Sequence, residues 1–198
     1  MTGVVRASLS TATRSLLEAD AHAAESVISG DLAIDEARER IEEESFDILA
    51  RQAPVAGDLR LLVASLRMVA DLERMGDLSV HVAKVARLRY PTKAVPPVVI
   101  PTIRQMATIA DEMIAAAAEI VATHDVDAAR ELEAADDEMD RLRRNMFRLL
   151  LDDDWTDGVE PAVDMALLGR YYERIGDHAV SMARRIVFLV TGRHPAGV

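Results

Sequence analysis

Leu62, Leu66, Val69, Val80 and Ala83 recur at helical spacing, and Val163, Leu167, Val180 and Val187 repeat the pattern later in the chain. Such spacing draws one apolar stripe along a helix and turns it toward a core. Turn signals divide the sequence into six expected helices, at about 4–17, 21–51, 55–89, 102–123, 126–150 and 161–192. Asp20 and Asp125 are suited to cap the second and fifth. Pro54 and Gly57 mark a turn before the third, and Pro161 is a favoured first-turn residue for the sixth. Long helices joined by short turns form antiparallel bundles.

The two halves repeat each other. Glu73-Arg74-Met75-Gly76-Asp77 falls on Glu173-Arg174-Ile175-Gly176-Asp177, and the upstream pair Asp31 and Asp35 falls on Asp136 and Asp140. Two independent motifs in the same order make chance a poor explanation. The expected architecture is therefore all-α: two pseudo-symmetric three-helix bundles. Residues 1–92 form the first repeat, 93–101 a Pro-rich linker and 102–198 the second. The first helix is short against its own duplicate.

Composition narrows the possibilities. The chain has 198 residues, 4% aromatic content, nine glycines and seven prolines, a profile that favours helix over sheet. Its net charge of −11 argues against a nucleic-acid footprint, which needs a basic face. Solubility alone accounts for that charge, which permits cation binding without demonstrating it. With no cysteine, disulfides, thiolate zinc sites and cysteine nucleophiles are excluded. No apolar run suits a membrane span, the longest soft stretch being the alanine-rich segment 114–118. The N-terminal segment is acid-poor as far as Glu18, which a surface-facing first helix explains.

The acidic motifs carry the candidate chemistry. Residues four apart share a helix face, so Glu73 and Asp77 point the same way, beside the apolar stripe. Carboxylates placed there are costly unless paired or metal-bound. An all-oxygen set suits a hard or borderline cation such as Mg, Mn, Ca or Fe. Two other readings stand beside this one. Arg74, Arg174, Arg60, Arg67 and Arg170 can supply the counter-charge, or the acids can form a solvated face. Gly76 and Gly176 lie inside helices, where glycine costs roughly 1 kcal/mol relative to alanine. Their presence implies close approach by a neighbour.

Other chemistry is lacking. Glu-x-x-His, the mark of bundle di-iron enzymes, is absent, as are phosphate loops, nucleophile–base sets and zinc signatures. His178 and His81 are unmatched between the repeats, and His22, His124 and His194 fall near helix ends. Glu42 to Glu44 read as a solvated face, and Met68, Met75, Met106, Met139, Met146, Met165 and Met182 as core fillers.

Two signatures resemble a known family. Pro54-Val55-Ala56-Gly57-Asp58-Leu59-Arg60 with Asp71-Leu72-Glu73-Arg74-Met75-Gly76-Asp77, and Tyr171-Tyr172-Glu173-Arg174-Ile175-Gly176-Asp177-His178-Ala179, look like the PhoU family of phosphate transport regulators. The resemblance covers nearly the whole chain. It implies multinuclear metal sites on an exposed helix face, at Asp31, Asp35, Glu73 and Asp77, then Asp136, Asp140, Glu173 and Asp177. The metal would be Fe, Zn, Mn, Mg or Ca.

The resemblance also implies a cytoplasmic, non-enzymatic negative regulator of phosphate uptake and of the phosphate-starvation response. Such a protein couples a phosphate ABC transporter, through its ATPase subunit, to a sensor histidine kinase. It is expected to be a homodimer that meets the inner face of the plasma membrane only through protein partners and binds no nucleic acid. The alternatives are a carboxylate-bridged metal-binding or storage bundle without a regulatory role, and a purely structural bundle whose acids form salt bridges.

Overall fold

A computed structural model describes residues 1–192. They form α1 (Thr2–Glu18), α2 (Ala21–Gly30), α3 (Leu32–Gln52), α4 (Ala56–Arg89), α5 (Ile100–Thr123), α6 (Val126–Leu150) and α7 (Val159–Thr191). The six-helix plan holds, with its second helix divided into α2 and α3 at Asp31. That residue keeps right-handed helical angles, φ −58° and ψ −34°, so the division is a local break. Positions 193–198, His194 among them, lie outside the described residues.

The caps explain the boundaries. The Asp20 carboxylate accepts from the Ala23 N–H at 2.9 Å, and Asp125 accepts from Asp127 and Ala128 at 2.9 and 3.0 Å. These bonds satisfy N–H groups that the first helical turn leaves without partners. At the other ends, Ala19, His124 and Gly192 take left-handed angles, and their N–H groups return to the last turn. α1 spans 17 residues against 24 for its counterpart α5, so the first helix is short here as well.

The long helices α4 and α7 run antiparallel through the centre, the other helices of each half packing around them. One hydrophobic cluster spans both halves, from Val5 and Leu9 on α1 to Ile186 on α7. All seven methionines expected as core fillers are buried in it. Such side chains contribute about 2 kcal/mol each on burial. The linker joins the core too, through Ala94, Val95 and Val99.

Part of the apolar seam was misplaced. Val69, Val80, Ala83 and Val180 are buried, but Val163 and Leu167 are exposed. The α7 seam runs instead through Met165, Leu168, Tyr172, Ile175, Ala179, Met182 and Ile186. A 33-residue helix packed on several neighbours buries more than one stripe, and spacing alone does not rank them. Among the described residues, no helix is long and apolar enough to cross a membrane.

Candidate functional site: two carboxylate clusters

Each cluster is built where the middle helix of a half crosses the glycine of its last helix. In the second half, Asp136 lies over Gly176. A Cβ on that glycine would sit 3.3 Å from Asp136 Oδ1 and 3.2 Å from Met113 Sδ. In the first half, a Cβ on Gly76 would meet Ile34 Cδ1 at 2.7 Å and Asp31 Oδ1 at 3.6 Å. Both glycines thus permit the close approach that their helical setting implied.

The fold therefore brings the two acidic motifs of each half together. Desolvation pushes the Asp136 carboxyl up to about 6, with further increments from Asp177, Asp140 and Glu173; Arg184 opposes them weakly. Asp31 is raised for the same reasons, by desolvation and then by Asp77, Asp35 and Glu73. Glu173 is buried and also raised, chiefly by desolvation and then by Asp177. The other acids are half-buried, apart from exposed Asp177. Carboxylates crowded in this way favour protonation or a counter-ion.

Arginines supply part of that counter-charge. Arg74 contacts Asp77 at 3.0 Å and Glu73 at 3.6 Å. Arg170 binds Glu173 through both carboxylate oxygens. Arg144 reaches Asp140 at 3.2 Å, and Arg143 lies 3.7 Å from Glu173 and 3.9 Å from Asp140. Arg60, Arg67 and Arg174 make no ion pair among the described residues. Among those residues, no three acidic or imidazole groups gather around one point. Asp31 and Asp136, the two aspartates facing the glycines, have no arginine on them.

Sequence reasoning missed Arg143 and its repeat partner Arg38. Both Nε atoms are buried without a hydrogen-bond partner. The signal was present: each arginine follows the second aspartate of its motif by the same interval.

A second polar constellation joins the halves. Asp71 on α4 is buried and accepts from Ser181 Oγ at 3.3 Å and Arg185 Nε at 3.2 Å, and it pairs with His178 Nδ1 at 3.0 Å. His81 stacks on Tyr171, ring centroids 5.3 Å apart. Arg89 binds Asp164 at 2.6 Å and also Glu160. The two histidines unmatched between the repeats thus serve the α4–α7 contact. His22 and His124 are exposed at helix ends, as expected. Glu43 and Glu44 are exposed, while Glu42 pairs with Arg38 at 3.0 Å.

The donor set is all carboxylate, the chemistry that a hard, oxygen-seeking cation takes, with no arginine on Asp31 or Asp136, but among the described residues its groups do not converge on one point.

The likeness to known proteins is extensive. The model of the PhoU domain family matches residues 1–86 and again residues 103–186. The phosphate-specific transport system accessory protein PhoU homolog 2 of Mycobacterium tuberculosis is 46% identical over 195 residues, covering 98% of this chain and 92% of that protein. A PhoU homolog from Rhizobium meliloti is 30% identical over 199 residues, covering 100% of this chain and 84% of that one. The crystal structure of PhoU from Pseudomonas aeruginosa superimposes with a TM-score of 0.88 at 30% identity, covering 98% of this chain and 93% of that one. With both signatures in place, each on the last helix of a matched domain, the chain belongs to the PhoU family of phosphate transport accessory proteins.

Proposed function

We propose that this protein is a cytoplasmic regulator that restrains phosphate uptake and the phosphate-starvation response. It acts by contact, linking the ATPase subunit of a phosphate transporter to a sensor histidine kinase, and works as a homodimer without catalytic turnover. The observation that carries this reading is the near full-length relationship to accessory proteins of phosphate-specific transport. Affinity capture from the native host, with the transporter ATPase and the kinase as the proteins sought, tests it. Recovery of both supports the adaptor role; recovery of neither, from phosphate-replete and phosphate-starved cells alike, contradicts it.

Within this role, Asp31, Asp35, Glu73 and Asp77, and Asp136, Asp140, Glu173 and Asp177, would hold metal cations, of Fe, Zn, Mn, Mg or Ca type. A cation would offset the mutual repulsion of each cluster and bind its two helices together. The support is the all-oxygen donor set and the upward pull on Asp31 and Asp136. Arg74 and Arg170 would have to release their carboxylates in part.

A further inference from the structure

A groove of about 470 Å³ runs between α5 and α6, lined by Met113, Ile120, Leu132 and the small residues Ala116, Ala128 and Ala135. Four glutamates border it: Glu112 and Glu119 from α5, Glu131 and Glu138 from α6. Arg141 and Gln105 hold Glu138. Glu112, Glu119 and Glu131 are exposed, and among the described residues they make no ion pair. The groove is therefore open along its half-buried lining of Ile109, Ala116, Ala128 and Ala135, Met113, Ile120 and Leu132 being already buried in the core, and its unpaired acids are Glu112 and Glu119 on one edge and Glu131 on the other.

The repeat shows that this groove is not a consequence of the bundle itself. The alignment that matches Asp31 with Asp136 and the Ala19 cap with the His124 cap gives the first-half equivalents. The four glutamates correspond to Ala7, Arg14, Ser26 and Ala33. The α5 lining residues Met113, Ala116 and Ile120 correspond to Ser8, Thr11 and Ser15. The α6 lining residues Ala128, Leu132 and Ala135 correspond to Ala23, Val27 and Gly30, so the halves differ in the four rim glutamates and along the α5 wall, not along the α6 wall.

We infer that the α5–α6 groove docks an amphipathic helix of a partner protein, with an apolar stripe flanked on both sides by arginine or lysine. Small residues let a helix backbone approach closely, and the stripe would cover Ile109, Ala116, Ala128 and Ala135. The rims demand positive charge along both flanks. From Ile109 to Ile120 the groove spans about 17 Å, enough for roughly three turns. The inference needs neither bound metal nor the adaptor role.

The test uses a labelled 14-residue peptide of leucine and alanine at helical spacing flanked by arginines. Its control is a scrambled peptide of equal charge without the stripe. Fluorescence anisotropy with the full chain should show saturable binding of the first peptide at least tenfold tighter than the second. Glu112→Gln/Glu131→Gln should weaken it about tenfold, and Ala128→Phe, which fills the groove, should abolish it. Circular dichroism checks that each variant remains folded. Equal binding of both peptides, or unchanged binding to both variants, would overturn the inference. So would no binding to the parent, or a change of oligomeric state on filling the groove, which would make this face a contact between copies.

Discussion

Asp71 and His178 meet across the two halves, Asp71 Oδ1 lying 3.0 Å from His178 Nδ1. Neither position has a like residue in the other repeat, where Tyr171 and Leu78 stand. The duplicated bundle has diverged at the surface it turned inward. Ser181 and Arg185 converge on the same carboxylate, so one α4 acid organises two turns of α7.

Removing that acid should be expensive. Asp71→Ala leaves the Arg185 charge and the Ser181 and His178 polar atoms without their acceptor. A loss of about 2–4 kcal/mol is expected, visible as a lower denaturation midpoint. Asp71→Asn keeps an acceptor and should lose less. A midpoint unchanged in both variants would show that the halves are held by the apolar core alone.

The glycines give a comparative prediction. Alanine gains about 1 kcal/mol of helix propensity over glycine. At Gly76 the new methyl meets buried, β-branched Ile34 at 2.7 Å, which must shift within a packed core. At Gly176 the nearest atom belongs to flexible Met113, at 3.2 Å. Gly76→Ala should therefore destabilise by about 1–2 kcal/mol, and Gly176→Ala should stay within about 1 kcal/mol of the parent. Thermal melts of the two variants in parallel decide it; the reverse order would contradict the packing described.

The pH dependence follows from Asp136, which is raised by desolvation first and by Asp177, Asp140 and Glu173 after it, to about 6. A carboxylate raised on folding holds its proton in the folded state where the unfolded chain has lost it. Its ionisation therefore penalises the fold above about pH 6, and that penalty is relieved as pH falls from 6 toward 4. For a partly solvated group the effect is on the order of 1 kcal/mol after allowance for screening. Chelator-treated parent should gain stability from this group between pH 7 and 5. Asp136→Asn should show a smaller gain in urea titrations at the two pH values; an identical gain would remove Asp136 from the account.

Cation binding is tested by elemental analysis and melting of protein purified without chelators. The parent should carry divalent or trivalent metal and lose several degrees of melting temperature when chelated. Glu73→Ala/Asp77→Ala and Glu173→Ala/Asp177→Ala should each lose part of the metal and part of the chelator response. A parent without metal, whose melting ignores added Mg, Ca, Mn, Fe and Zn, would leave arginine pairing as the whole role of these acids.

The helices and the repeat were legible because local signals agree with the fold: Asp20 and Asp125 cap where they should, and Gly76 and Gly176 sit at close approaches. The break at Asp31 was missed although Gly30, a poor helix former, closes α2 immediately before it. Val163 and Leu167 misled because valine and leucine at helical spacing read alike on a core stripe and on an exposed one. That Gly76 and Gly176 sit at close approaches was legible, but that Asp31 and Asp136 are among the neighbours there emerged only from the fold. The α4–α7 contacts were not legible, because Asp71 on α4 and His178 and Arg185 on α7 are far apart in sequence and lack counterparts in the repeat.

The central claim is regulation of phosphate uptake by contact, and a transcriptional reporter tests it most directly. A phosphate-starvation promoter is followed in phosphate-replete medium, in the native host lacking this protein and any paralogue. The account predicts that the promoter is active in that strain and silent again when this chain alone is restored. A promoter that stays silent without the protein would contradict it.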